Sequence, residues 1–205
     1  MRKLLTILLL FFAINININA EEVEIPTIID ILEQRTMADY TKLIPIIKRF
    51  EGGYANNPYD KGGCTNSGVT LSTYRYYFGR NKTCSDLKRM TEDEWSHIFK
   101  VGYWDKWKAD SIDNQAIANL VVDWLWHSGV YGIKYVQEVL GVAKDGVVGN
   151  KTLSAINNHN NPKELFGKIW ARRKKQFDNI VKNNPKQKIF YRGWMNRLNA
   201  FSYYK

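Results

Sequence analysis

Phe50-Glu51-Gly52-Gly53-Tyr54, followed by Pro58-Tyr59-Asp60-Lys61-Gly62-Gly63-Cys64-Thr65-Asn66-Ser67-Gly68-Val69-Thr70, decides how this chain is read. One carboxylate stands where an apolar helical pattern stops. Asp60 follows nine positions later and Thr65 five beyond that, in a glycine-rich turn region. Carboxyl groups brought together by a loop are what acid–base hydrolysis of a glycosidic bond requires. The same residues also suit turns on their own account. Glu51 reads equally as a solvated helix end, Asp60 as a turn former before glycines, and Thr65 as a loop hydroxyl.

Upstream, Leu43, Ile44, Ile46, Ile47 and Phe50 give one apolar face to a helix from about Thr41 to Glu51. Pro45 is tolerated only in or near its first turn. Gly52-Gly53 is expected to end the helix in the left-handed conformation. That puts Glu51 in the last turn beside apolar side chains, a partly desolvated place that suits a general acid. From Tyr54 to Val69, Asn, Gly and Pro predict hairpin and turn structure.

Downstream the pattern is helical. Ser72 is placed to cap a short helix through Phe78, stopped by Gly79. Thr91-Glu92-Asp93-Glu94 has the form of a capping box, ahead of Trp95, Ile98, Phe99 and Tyr103. From Asn114 to Ser128 the residues are apolar on more than one side, so this is the expected central buried helix, closed by Gly129. A helix from Ile133 to Leu140 follows, then a turn-rich segment to Gly149, a short helix capped by Asn150, and a long helix opened by Asn161-Pro162. A last helix from about Lys186 carries Phe190, Trp194, Leu198 and Phe201 on one stripe, which reads as core. The expected class is mainly α with a small β or loop wing.

The first 20 residues, with Arg2-Lys3, an apolar run from Leu4 to Ile14 and Ala20, read as a signal peptide cut before Glu21. The run is too short to span a bilayer, which takes about 20 apolar residues. The protein is therefore expected to be exported, periplasmic or secreted, with no stable membrane insertion after cleavage. Residues 21–40 read as a lead segment. From Lys163 to Lys205 there are 12 Lys and Arg against two acids, Glu164 and Asp178. For an exported protein this basic face points to anionic cell-wall polymers rather than nucleic acid; a solvated helical face is the plainer alternative. Cys64 and Cys84 suit a bridge in an oxidising compartment. His97, His127 and His159 are scattered without metal-ligand spacing, so neither a metal nor another cofactor is expected.

Phe50-Glu51-Gly52-Gly53-Tyr54, Asn57-Pro58, Asp60, Gly62-Gly63, Thr65-Asn66 and Gly68-Val69-Thr70 resemble the signature of glycoside hydrolase family 108, muramidases of the lysozyme-like superfamily. The spacing is also similar to the phage-lysozyme pattern of Glu, eight residues, Asp, about five residues, Thr, although here the second gap is four. Val136-Gln137, Leu140-Gly141-Val142, Asp145-Gly146-Val147-Val148-Gly149 and Lys151-Thr152-Leu153 resemble the peptidoglycan-binding segment that follows the catalytic part in this family. The resemblance implies a lysozyme-like catalytic region over 41–130, with a helical region over 131–205 packed onto it as one unit.

By the same resemblance, Glu51 is the general acid for the bond between N-acetylmuramic acid and N-acetylglucosamine, and Asp60 and Thr65 hold the attacking water. An inverting reaction would then place the two carboxyls roughly 6.5–9.5 Å apart. Tyr54 and Asn66, inside the motif, would touch the peptidoglycan glycan strand. Cys64 departs from the family pattern, and a Cys64–Cys84 bridge would pin the catalytic loop to the next helix. Trp126 and His127, in an unusually aromatic segment before Ser128-Gly129, are candidates to line the sugar cleft. Alternatively Trp124 and Trp126 are core and His127 a helix C-terminal residue. Two other functions fit the sequence: a non-catalytic wall-binding protein, and a lytic transglycosylase using one glutamate.

Overall fold

The structure, a computed structural model, describes residues 37–56 and 63–203, all within one unit spanning Thr36–Lys205. The expected signal peptide, the lead segment up to residue 36, and Asp60 lie outside the described residues.

A 3-10 turn at Tyr40–Lys42, capped by Asp39, leads into α1, Ile44–Phe50, with Pro45 in its first turn. Glu51 caps α1 in an extended conformation (φ −92°, ψ 137°) while its N–H still reaches the Lys48 carbonyl. This corrects the expected terminator. Neither Gly52 nor Gly53 is left-handed; the chain leaves the helix because Glu51 itself turns out, which swings its side chain off the helix axis.

The chain then pairs briefly at Ala55 with Thr65. Strands β1 (Thr65–Asn66) and β2 (Val69–Thr70) form an antiparallel hairpin, Thr65 opposite Thr70 and Asn66 opposite Val69. Its two-residue loop, Ser67-Gly68, has positive φ at both positions, 48° and 79°. That backbone matches the natural twist of a tight hairpin.

Helix α2, Leu71–Phe78, is capped by Thr70 rather than Ser72: the Thr73 N–H donates to Thr70 Oγ1 at 3.2 Å. Thr70 wins because it is the last extended residue, so its hydroxyl faces the open first turn. Helix α3 (Cys84–Lys88) and helix α4 (Glu92–Phe99) each start in a capping box, Thr83 with Asp86 and Thr91 with Glu94. Cys84, the first residue of α3, is disulfide-bonded to Cys64 beside β1. A π turn, Lys100–Trp104, and two 3-10 turns, Asp105–Trp107 and Ala109–Ser111, carry the chain on to the next helix.

Helix α5, Gln115–Ser128, is capped by Asn114 and closed by left-handed Gly129, and ten of its residues are buried. It is the axis of the core, as its apolar sequence predicts. Helix α6, Val130–Leu140, begins at once, three residues before the predicted start. The two helices approach so closely at Gly132 that a Cβ there would stand 2.6 Å from the Trp124 backbone. Helix α7 (Asn150–Asn157) takes Gly149, not Asn150, as its cap residue.

Gln137 on α6 holds the loop between α6 and α7: its amide donates to Asp145 Oδ1 and the Val147 carbonyl, and its Oε1 accepts from Gly146 N–H. The Gln137 and Asp145-Gly146 motif is thus a loop lock. Helix α8, Pro162–Asn183, starts on Asn161 and lies against α5 and α6. After a 3-10 turn at Pro185–Gln187, helix α9 (Lys188–Asn199) packs on α8. Of the predicted α9 stripe, Leu198 and Phe201 are buried, Trp194 is half-buried and Phe190 is 51% exposed, so the stripe leaves the core towards its N-terminal end. The fold is mainly α, lysozyme-like, with one small hairpin, as the sequence predicts. Among the described residues, no helix is long and apolar enough to cross a membrane.

Candidate active site

Glu51 reaches from the end of α1 into a cavity of about 430 Å3 that is also lined by Gly68 of the hairpin, Trp126 and His127 of α5, and Gly193, Trp194 and Arg197 of α9. A larger cavity of about 650 Å3 beside α2, lined by Arg75, Tyr76 and Arg80 among others, holds no carboxylate. The smaller one, which holds the carboxylate, is the candidate site.

The Glu51 side chain is 14% exposed. Its Oε1 accepts from Trp126 Nε1 at 2.7 Å and from Arg197 Nη1 at 2.7 Å. Its Oε2 lies on the Gly68 side, where a glycine is required. Trp126 is itself wedged among rings, with Tyr103 at 4.6 Å and Trp95 and Phe99 at 5.6 Å between centroids, and these contacts aim its N–H at Glu51.

Arg197 is held from behind. Its Nε and Nη2 donate to Asp123 Oδ1 at 2.9 and 2.6 Å, and Asp123 Oδ2 lies 2.7 Å from Arg173 Nη1. The side chains of Asp123 and Arg173 are entirely buried. Burial alone would raise the Asp123 pKa, yet the guanidiniums of Arg173 and Arg197 hold it below its ordinary value, so it stays ionised. Burial lowers the Arg173 pKa against the opposing pull of Asp123. Burial also opposes the Arg197 charge, but Asp123 and Glu51 outweigh it and raise that pKa. The Arg173–Asp123 contact is a charge pair without aligned hydrogen bonds; the guanidinium instead faces the rings of Phe177, Trp124 and Phe201 at 5.8–6.0 Å.

His127, next along α5, packs edge-on to Phe177 at 5.8 Å and contacts Ser128 Oγ. Burial, then the positive charges of Arg173 and Arg197, push its pKa down to about 4. It presents a neutral imidazole to the cavity at neutral pH. Among the described residues, no group of three or more His, Cys, Asp and Glu side chains is arranged to hold a metal ion.

The structure therefore brings Glu51, Trp126 and His127 to one cavity. The other expected site residues are placed differently. Thr65 pairs through its backbone with Ala55 in the hairpin. Asn66 commits its amide to the Leu87 and Lys88 carbonyls, tying the hairpin to α3. Half-buried Tyr54 faces the Lys88 ammonium at 5.6 Å.

Arg197, Asp123 and Arg173 are the residues that sequence reasoning missed. A signal existed. Asp123 is the one carboxylate in an otherwise apolar buried helix, and a buried charge requires a counter-charge. The basic excess after residue 163 was the place to seek it.

The comparisons with known proteins fall on two consecutive segments. Residues 44–129 match the family Glycosyl hydrolase 108, and residues 131–199 match the Predicted Peptidoglycan domain. Among solved structures, "Structure of Brucella abortus SagA" is similar, with a TM-score of 0.68 and 29% sequence identity over 79% of this chain and 90% of that one. No curated protein matches the sequence. With its hydrolase segment, its peptidoglycan segment and a glutamate set in a cavity between helices α1, α5 and α9, the chain carries a glycosyl hydrolase 108 domain and is a lysozyme-like peptidoglycan hydrolase.

Proposed function

We propose that the enzyme cleaves the β-1,4 bond between N-acetylmuramic acid and N-acetylglucosamine, with Glu51 as the general acid. The observation that carries this is the asymmetric hold on its carboxyl group. Oε1 already accepts two N–H donors, from Trp126 and Arg197, so the proton to be delivered resides on Oε2. As that proton moves to the leaving glycosidic oxygen, negative charge grows on the carboxyl group. Arg197 and Trp126 are already in place to stabilise it, with no reorganisation. The neutral His127 ring and the Trp194 indole offer the flat, partly apolar walls on which a sugar ring stacks.

Asp60 and Thr65 hold the attacking water in this reading, and the reaction inverts the anomeric centre. The enzyme acts outside the cytoplasm after export. The basic residues of α8 and α9 add long-range attraction for anionic wall polymers, weakened by salt. Purified peptidoglycan digested with wild type and with Glu51→Gln tests the proposal. Reducing sugar ends should appear with wild type and not with a folded Glu51→Gln protein. Equal release by both would sink the assignment. Release of 1,6-anhydro ends instead would make the enzyme a lytic transglycosylase, and a wild type that binds wall material without cleaving it would be a binding protein.

A further inference from the structure

Glu51 falls in the segment matched as the hydrolase, and Arg197, which donates to it, falls in the segment matched as the peptidoglycan domain. Arg197 grips Glu51 with Nη1 alone. Its other two nitrogens are both fixed on Asp123. A guanidinium is planar, so anchoring two nitrogens on one carboxylate sets the direction of the third. Asp123 is held in turn by Arg173, which three aromatic rings surround. Acidic and basic side chains therefore alternate along a row from cavity to core: Glu51, Arg197, Asp123, Arg173. Such buried ions give little stability that apolar side chains of the same volume would not give. Their arrangement is better explained by what it does to Glu51.

We propose that Asp123 and Arg173 are positioning residues for the hydrolytic step, acting on Glu51 only through Arg197, so that residues 131–199 form half of the catalytic centre. This rests on Glu51 being the acid. The second segment then does more than bind wall material: it carries the group that orients the acid and receives its charge.

Asp123→Asn alone strands two guanidiniums in the core and risks misfolding. The informative variant is Asp123→Asn combined with Arg173→Met, which removes one charge of each sign and leaves the Glu51–Arg197 pair. In the full chain acting on soluble glycan strands, kcat should fall by about tenfold or more with KM changed by less than about twofold. Adding Arg197→Ala to that variant should cost less than about twofold beyond Arg197→Ala alone, since the coupling passes through Arg197. Arg197→Lys keeps the charge but cannot span both carboxylates, so it should lose kcat to a similar degree without touching Asp123. A folded Asp123→Asn/Arg173→Met protein with wild-type kcat, independent losses when Arg197→Ala is added, or a fully active Arg197→Lys protein would each overturn the proposal. Glu51→Gln separates the two readings. Activity that survives Glu51→Gln removes the acid assignment itself, whereas its loss beside full activity in the other variants removes only the positioning role.

Discussion

Gly68 lies so close to Glu51 that a Cβ on it would stand 2.5 Å from Oε2 and 2.9 Å from Cδ, and 2.7 Å from the Trp126 ring. With φ at +79°, it is also left-handed. Gly68→Ala is therefore expected to cost about 1–2 kcal/mol in backbone strain. It should also push the carboxyl group off its two donors. The measurement is a urea midpoint together with an initial rate, and activity should fall further than the stability loss alone explains. A fully active, equally stable Gly68→Ala protein would contradict the packing.

Trp126→Phe keeps most of the ring contacts to Tyr103, Trp95 and Phe99 but removes the N–H donor to Glu51 Oε1. Losing one donor to a developing oxyanion reduces kcat by about a hundredfold in sites built for it. Because Arg197 still holds Oε1 here, a fall of about tenfold is expected, with little change in KM. A kcat equal to wild type would mean that the indole only packs.

Joining Cys64 to Cys84 closes a loop of sequence separation 20. In chain-entropy terms such a bridge stabilises by about 3 kcal/mol. Cys64 is fully buried. The native enzyme should resist mild reductant, while a Cys64→Ser/Cys84→Ser variant should unfold at lower urea and lose activity as the hairpin carrying Gly68 loosens. Identical urea midpoints would show that the bridge adds nothing.

Acid should destabilise the protein through His127. Its pKa is about 4 in the fold against an ordinary 6.5. The folded state therefore resists a proton that the unfolded chain accepts, and stability is lost as pH falls from 6.5 towards 4. At pH 4.5 the loss amounts to about 2–3 kcal/mol. His127→Gln should flatten this part of the stability profile; thermal unfolding of both proteins at pH 7 and pH 4.5 reads the difference. Parallel profiles would place the acid sensitivity elsewhere.

The helical framework was legible because its signals are local. The Thr91 capping box, Asn114 before an apolar run, and Asn161-Pro162 each sit within a turn or two of what they specify. Glycine next to a helix end proved a weaker guide. Gly52-Gly53 suggested a left-handed stop, but the backbone of Glu51 had already ended the helix. For the site, Glu51 and Trp126 could be found by motif and by composition, whereas the hydrogen bond between them depends on tertiary packing. The brace that the Asn66 amide makes from the hairpin to α3 likewise spans 21 residues and has no local signal. Arg173 and Arg197 are two of twelve basic residues in the C-terminal stretch, and nothing local distinguishes the two that turn inward.

The pairing of Glu51 with Arg197 also joins two residues 146 positions apart in the sequence. During synthesis the glutamate emerges early and its partner follows only after helices α2 to α8. Closing so distant a contact is a late event in folding, because the entropy of the intervening chain must be overcome first. A partly folded chain thus carries the glutamate without its charge partner until the last helix docks, and the Glu51–Arg197 contact is expected among the last to form on refolding.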